Sequence, residues 1–193
     1  MIRKYNKNDY PSVLDIYARS KLDELRFESR SFNLLPLDKD QKRLAQLMES
    51  DIYVYEKGDV LGYGARYKNE IRALFVHPSF RGQGVGRELL EYLLGEISGA
   101  VHLQVAKTND PVKNLYRKYG FVVTRELQTT YSGVPVLANE MVRPPAPTKY
   151  TNTYATGVSA GVVLKTFLQK SPKGIQLGGG GSSLLIHRKK WPA

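Results

Sequence analysis

Residues 71–97, IRALFVHPSFRGQGVGRELLEYLLGEI, join three local patterns into one unit. Ile71, Ala73, Leu74, Phe75 and Val76 form the short apolar run that a central strand needs. His77-Pro78 ends it, because proline brings no backbone donor and turns the preceding residue away from helical geometry. Arg81-Gly82-Gln83-Gly84-Val85-Gly86 follows, and Leu89, Leu90, Leu93, Leu94 and Ile97 then recur at helical spacing. A strand that passes through glycines into a helix offers unpaired amides at the positive end of a helix dipole. That arrangement suits an anion, most naturally phosphate. Arg81 and Arg87 can add charge-assisted bonds to a diphosphate.

The glycine spacing selects among phosphate ligands. A dinucleotide fingerprint needs G-x-G-x-x-G; counted from Gly82 its last glycine falls on Arg87, and from Gly84 on Leu89. A P-loop needs Gly-Lys-Ser/Thr, which does not follow. What stands here is Arg-x-x-Gly-x-Gly after a Val-x-Pro strand end. With Val76, Pro78, Arg81, Gly82, Gly84, Gly86 and the leucine pair in place, this resembles the acetyl-CoA-binding segment of the GCN5-related N-acetyltransferases, the GNAT superfamily, in its stand-alone bacterial form. A second segment agrees. Asn109-x-x-Val112-x-x-x-Tyr116 and Gly120-Phe121 are similar to that family's Asn-x-x-Ala-x-x-x-Tyr-x-x-x-Gly-Phe, with Val112 in place of alanine.

Composition bounds the rest. The 193 residues, 41% hydrophobic and 24% charged, suit one globular domain with an appendage. The absence of cysteine excludes a disulfide framework, a thiolate metal site and a cysteine nucleophile. His77, His102 and His187 show no metal-ligand spacing, so no metal is expected. No apolar run reaches the ~20 residues that cross a bilayer, and MIRKYNKNDY does not read as a signal peptide. A cytoplasmic protein without a membrane partner is expected. The net charge of +11 is uneven: residues 1–143 hold 22 of the 29 basic residues and all 18 acidic ones. The excess therefore lies mainly in the tail, which weakens any argument for nucleic acid as a partner of the folded part.

In chain order, Met1–Tyr5 reads as a strand. Asn8 or Asp9 caps a helix running to about Leu25, with Val13, Leu14 and Tyr17 facing inward. Phe27–Leu37 reads as loop. Asp38 or Asp40 caps a second helix carrying Leu44, Leu47 and Met48. Three strands in meander lead to the glycine loop, turning at Lys57-Gly58-Asp59 and Lys68-Asn69. A strand at Ala100–Ala106, a helix capped at Asn109 or Asp110 and closed by Gly120, and a hairpin turning at Ser132-Gly133 complete the domain. The fold class is α/β in the α+β sense: a mixed, mostly antiparallel sheet flanked by helices, as the resemblance implies. The expected division is a catalytic domain at 1–143 and a flexible basic extension at 144–193, entered through Pro144-Pro145-Ala146-Pro147.

The resemblance implies acetyl-CoA as cosubstrate and a primary amine as acceptor, on a small molecule or a protein, attacked directly in a ternary complex. The cofactor-binding residues would be Phe75 and Val76 through their main chain, then Arg81, Gly82, Gln83, Gly84, Val85, Gly86 and Arg87, with Asn109 on the pantetheine arm. Tyr116 would protonate the departing thiolate, a task within reach of a phenol. Glu70 is the candidate base, working through water, and His77 the second. Glu24, Phe27, Glu28, Phe32 and Tyr131 would wall the acceptor site, a set suited to a cationic amine. Two alternatives stand beside this: a toxin-type enzyme acetylating aminoacyl-tRNA, and a non-catalytic acyl-CoA-binding module. A homodimer is compatible with each.

Overall fold

The computed structural model describes residues 1–145; the expected extension at 144–193 falls almost wholly outside the described residues. Seven strands form one sheet: β1 (Ile2–Lys4), β2 (Asp51–Lys57), β3 (Asp59–Tyr67), β4 (Glu70–Val76), β5 (Val101–Ala106), β6 (Val122–Tyr131) and β7 (Val134–Arg143). Their spatial order is β1-β2-β3-β4-β5-β7-β6. Every neighbouring pair is antiparallel except β4 and β5. The helices are α1 (Tyr10–Ser20), α2 (Gln41–Met48), α3 (Val85–Gly95) and α4 (Asp110–Lys118). The expected class and element order are the observed ones.

The sheet carries a core on each side. Against α1 and α2 lie Val13, Ile16, Tyr17, Leu47, Val54 and Tyr63. Around α3 and α4 lie Leu90, Leu93, Leu103, Tyr116, Phe121 and Met141. Leu89, Leu90 and Leu93 are fully buried, each contributing roughly 2 kcal/mol of transfer free energy. This close seat requires glycine on β3: a β-carbon on Gly64 would stand 2.7 Å from Leu93 Cδ1, and one on Gly62 2.8 Å from the Phe75 carbonyl oxygen. The β6–β7 turn has positive φ at both Ser132 (49°) and Gly133 (78°), the geometry whose twist matches a tight hairpin.

Two expectations about the first helix are corrected. Asp9 does not cap it through its side chain; the carboxylate is bound by Arg3 Nη1 at 2.7 Å and Nη2 at 2.9 Å and accepts from Asn6 N–H at 2.8 Å. Asn6 supplies the local cap, accepting from Asn8 N–H. The α-helix also stops at Ser20 rather than Leu25, and Lys21–Leu25 tighten into a 3-10 helix. At the junction Ser20 Oγ donates to the Val76 carbonyl at 3.0 Å, tying the helix end to the tip of β4. Asp40 caps α2 as expected, accepting from Arg43 N–H at 3.0 Å, but Met48 is exposed and only Leu47 of its stripe is buried.

Candidate active site

Two strands that begin side by side separate, and the site lies where they part. β4 and β5 pair only at Glu70–His102 and Ile71–Leu103. Beyond that point β4 remains bound to β3 and β5 to β7, so each is held by its outer neighbour while a gap opens between them. The resulting cleft has a volume of about 980 Å³ and is lined by Leu74, Val76, Gln104, Asn109, Tyr116 and Tyr131 among others.

Hydrogen-bond parity decides which backbone groups of β4 face the gap. His77 N–H donates to Leu61 C=O at 2.9 Å, and Gly62 pairs with Val76 in register. Antiparallel pairs alternate, so Tyr63–Phe75 exchange bonds and Gly62–Val76 and Gly64–Leu74 do not. The main-chain groups of Val76 and Leu74 therefore point away from β3 into the cleft. Those of Phe75 are spent within the sheet, which corrects the expectation that Phe75 would offer its backbone to a ligand. Its side chain packs instead on Tyr17 and Tyr63, ring centres 5.8 and 5.5 Å away.

The glycine loop sits at the tip of β4. Gly84 is the N-cap of α3 with φ +91°, and no side chain caps this end. The first helical bond runs from Glu88 N–H to Gly84 C=O at 3.0 Å, so the amides of Val85, Gly86 and Arg87 have no partner inside the helix. Arg81, Gly82, Gly84, Gly86 and Arg87 line the cleft, while Gln83 and Val85 do not. Val85 is buried against Leu61 and Leu89, and Gln83 Nε2 reaches back to Ser79 C=O at 3.3 Å. Arg81 pairs with Asp23 across the mouth and donates through Nε to Val76 C=O at 3.3 Å.

Across the gap, Tyr116 is buried against Phe121, ring centres 5.6 Å apart, and lines the cleft. Burial, with a smaller contribution from the Glu24 charge, pushes its phenol well above the usual tyrosine value. Asn109, the N-cap of the same helix, is buried and also lines the cleft. Its amide is engaged locally, Oδ1 accepting from Val112 N–H at 3.4 Å and Nδ2 donating to Glu24 C=O at 3.4 Å. Glu70 lines the cleft where the strands are still joined, bound to Arg72 Nε at 3.1 Å. His77 lies outside the cleft lining: Nδ1 accepts from Ser79 N–H, and Nε2 stands 3.6 Å from Asp15. Among the described residues no three His, Asp or Glu side chains gather where they could hold a metal ion.

This combination of a parted sheet and an uncapped glycine-rich helix start has known counterparts. Residues 48–123 match the family model described as acetyltransferase (GNAT) domain. The chain carries a GNAT domain. It is 39% identical over 62 residues to the N-alpha-acetyltransferase RimI of Mycobacterium tuberculosis, a match covering 32% of this chain and 39% of that protein. It is 26% identical over 125 residues to the peptidyl-lysine N-acetyltransferase YiaC of Escherichia coli, covering 63% of this chain and 82% of that protein. The matched stretch is thus well under two thirds of the mycobacterial relative. Among solved structures, yncA of Salmonella typhimurium with its cofactor acetyl-CoA aligns at TM-score 0.56 and 20% identity, over 83% of this chain and 98% of that one. At that identity the likeness is one of fold.

Where the 3-10 helix at Lys21–Leu25 meets the β6–β7 hairpin, the GNAT domain differs from what its sequence suggested. The acidic-aromatic wall is a mixed one. Phe27 is exposed, and Glu28 accepts from Thr108 Oγ1. Tyr131 is buried beside Phe32, its hydroxyl accepting from Leu35 N–H at 3.1 Å. Between them stand Lys21, paired with Glu24, and Arg43, paired with Asp40. Sequence reasoning read Tyr17 only as an inward-facing helix residue and passed over Lys21 and Arg43. The available signal was periodicity: Val13, Tyr17 and Lys21 fall on one stripe of α1 continued into the 3-10 turn, a lysine where an apolar residue is due.

Proposed function

We propose that the protein is an acetyl-CoA-dependent N-acetyltransferase that delivers the acetyl group to an amine. One observation carries the reading: the β4 edge beyond Ile71, with the Leu74 and Val76 amides turned into a gap, ends directly at the uncapped start of α3. An extended amide-bearing chain ending in a diphosphate is the ligand that both features suit at once. Its diphosphate accepts from the loop and first-turn amides between Gln83 and Arg87, with Arg87 adding charge. Its pantetheine arm lies along β4 toward Tyr116. Asn109 exchanges its bond to the Glu24 carbonyl for one to that arm.

When bound, acetyl-CoA supplies a thioester whose acyl carbon the acceptor nitrogen attacks. The Val76 N–H polarises the thioester carbonyl, acting on charge that grows toward the transition state. Tyr116 donates its phenolic proton to the departing thiolate; its raised pKa keeps that proton in place throughout the neutral range. Glu70 receives the acceptor's proton through water, held toward the cleft by Arg72.

Free-thiol release with an amine panel tests the reading. Tyr116→Phe should lower kcat by about 100-fold while changing coenzyme affinity little, since the ring and its packing on Phe121 remain. An undiminished kcat would remove the acid role, and tight coenzyme binding with no amine turned over would favour a binding module.

A further inference from the structure

On the α1–α2 side of the cleft, two cations share one aromatic ring. Lys21 Nζ stands 5.2 Å from the centre of the Tyr131 ring, and the Arg43 guanidinium 5.6 Å from the same centre. Phe75 and Tyr17 complete a box around Lys21, their centres each 6.0 Å from Nζ. Lys21 is only 4% exposed. Such burial of a lysine is costly, and it lowers the amine below the ordinary lysine value; Glu24 opposes that effect and Arg43 adds to it.

The donors in this box exceed its acceptors. Asp40 is spent on Arg43 Nε at 3.2 Å and on capping α2, leaving both terminal guanidinium nitrogens of Arg43 without a partner among the described residues. The Tyr17 hydroxyl is buried with no partner in ordinary hydrogen-bond geometry, the Tyr131 hydroxyl being its close neighbour. Both residues line the cleft, as does Lys21. A planar fork, an ammonium and a phenol lining one cleft are the partners of a carboxylate. Glu24 links this box to the chemistry, since it pairs with Lys21 and its charge is felt at the Tyr116 phenol.

We propose that Tyr17, Lys21 and Arg43 form a subsite for the carboxylate of the acceptor, so that the amine acetylated belongs to a small amino acid and not to a neutral amine or a protein lysine. The inference rests on the acetyltransferase reading for its chemistry, but the carboxylate subsite can be measured without turnover. Within it, the acceptor carboxylate accepts from the Arg43 fork and the Tyr17 hydroxyl, with Lys21 supplying charge. The amine of the same small molecule is thereby directed toward Tyr116.

The test uses the full chain with acetyl-CoA. Free-thiol release is compared for the common L-amino acids and γ-aminobutyrate against their carboxamides, and for butylamine, 3-aminopropylphosphonate and a lysine-containing peptide. In parallel the same carboxylates are titrated calorimetrically into the protein alone. The best carboxylate should exceed its own carboxamide in kcat/KM by about 10- to 100-fold, chiefly through KM. Arg43→Gln should bring that ratio close to one, with Arg43→Lys restoring part of it; a ratio does not depend on how much of a variant is folded. Tyr17→Phe should reduce it less. Carboxylates that bind and lose binding in Arg43→Gln, without any thiol release, would support the subsite and defeat the transferase reading. Preference for butylamine, the phosphonate or the lysine peptide would overturn the subsite while leaving the transferase standing. A panel in which no carboxylate is bound or acetylated would overturn it too.

Discussion

Gly62 and Val76 face each other across β3 and β4 without exchanging hydrogen bonds, the adjacent bond running from His77 N–H to Leu61 C=O. This places the Val76 amide in the gap, and the Phe75 amide, one residue earlier, inside the sheet. Amide exchange should report the difference. Coenzyme A binding is expected to slow exchange at Val76 and Leu74 and leave Phe75, already protected, nearly unchanged. New protection confined to Phe75 would invert the assignment of the edge.

Gly84 is held by conformation and not by lack of room. A β-carbon there would meet nothing closer than 3.6 Å, yet φ is +91°, a region that costs an L-residue roughly 1–2 kcal/mol. Gly84→Ala should therefore fold with a modestly lowered Tm but rotate the amides that follow it. Calorimetry should find coenzyme A affinity reduced about 10-fold or more. Equal affinity would mean that the loop amides do not hold the diphosphate.

Much of this was legible in sequence because it is local. The strand, the glycine turn and the leucine stripe lie within residues 71–97, and each is specified by near neighbours. The meander followed from turns at Gly58 and Lys68-Asn69, and the last hairpin from Ser132-Gly133. What could not be read depends on distant partners. The bulge between Ala65 and Arg66 breaks the count from the turn, so sequence does not fix whether Phe75 or Val76 faces the gap. Asp9 reads as a helix cap until Arg3, six residues earlier, claims its carboxylate. Lys21 becomes a cleft residue only because α1, β4 and the β6–β7 hairpin bring Tyr17, Phe75 and Tyr131 around it.

Arg3 bridges Asp9 and Glu56, at 2.7 and 2.9 Å, and ties β1 to both the start of α1 and the end of β2. The Arg3 bonds hold the Asp9 and Glu56 carboxyls below their ordinary values. A carboxyl with a depressed folded-state pKa stabilises above its unfolded value, near pH 4, and that contribution is lost as pH falls through the folded one. Asp9→Asn should lower Tm at pH 7 by about 5–10 °C, and the gap to the parent should narrow on acidification below about pH 4. Thermal melts across pH 2–7 measure this. A gap that stayed constant would show that the Asp9 charge is not what stabilises the junction.

Lys21 offers the sharpest separation of stability from function. A lysine whose folded-state pKa is depressed destabilises the protein while the unfolded chain holds the proton more tightly. Stability should accordingly rise with pH between the folded value and the ordinary one near 10.5. Lys21→Met fills the same space among Tyr17, Phe75 and Tyr131 without a charge to desolvate, and Glu24 is exposed enough to be solvated by water once its partner is gone. The variant should melt at the same temperature as the parent or higher at pH 7, lose the alkaline rise in stability, and bind carboxylate acceptors more weakly. A marked fall in Tm would instead make Lys21 a structural member of the core. An unchanged or raised Tm together with weakened carboxylate binding would assign the buried cation to its ligand and not to the core.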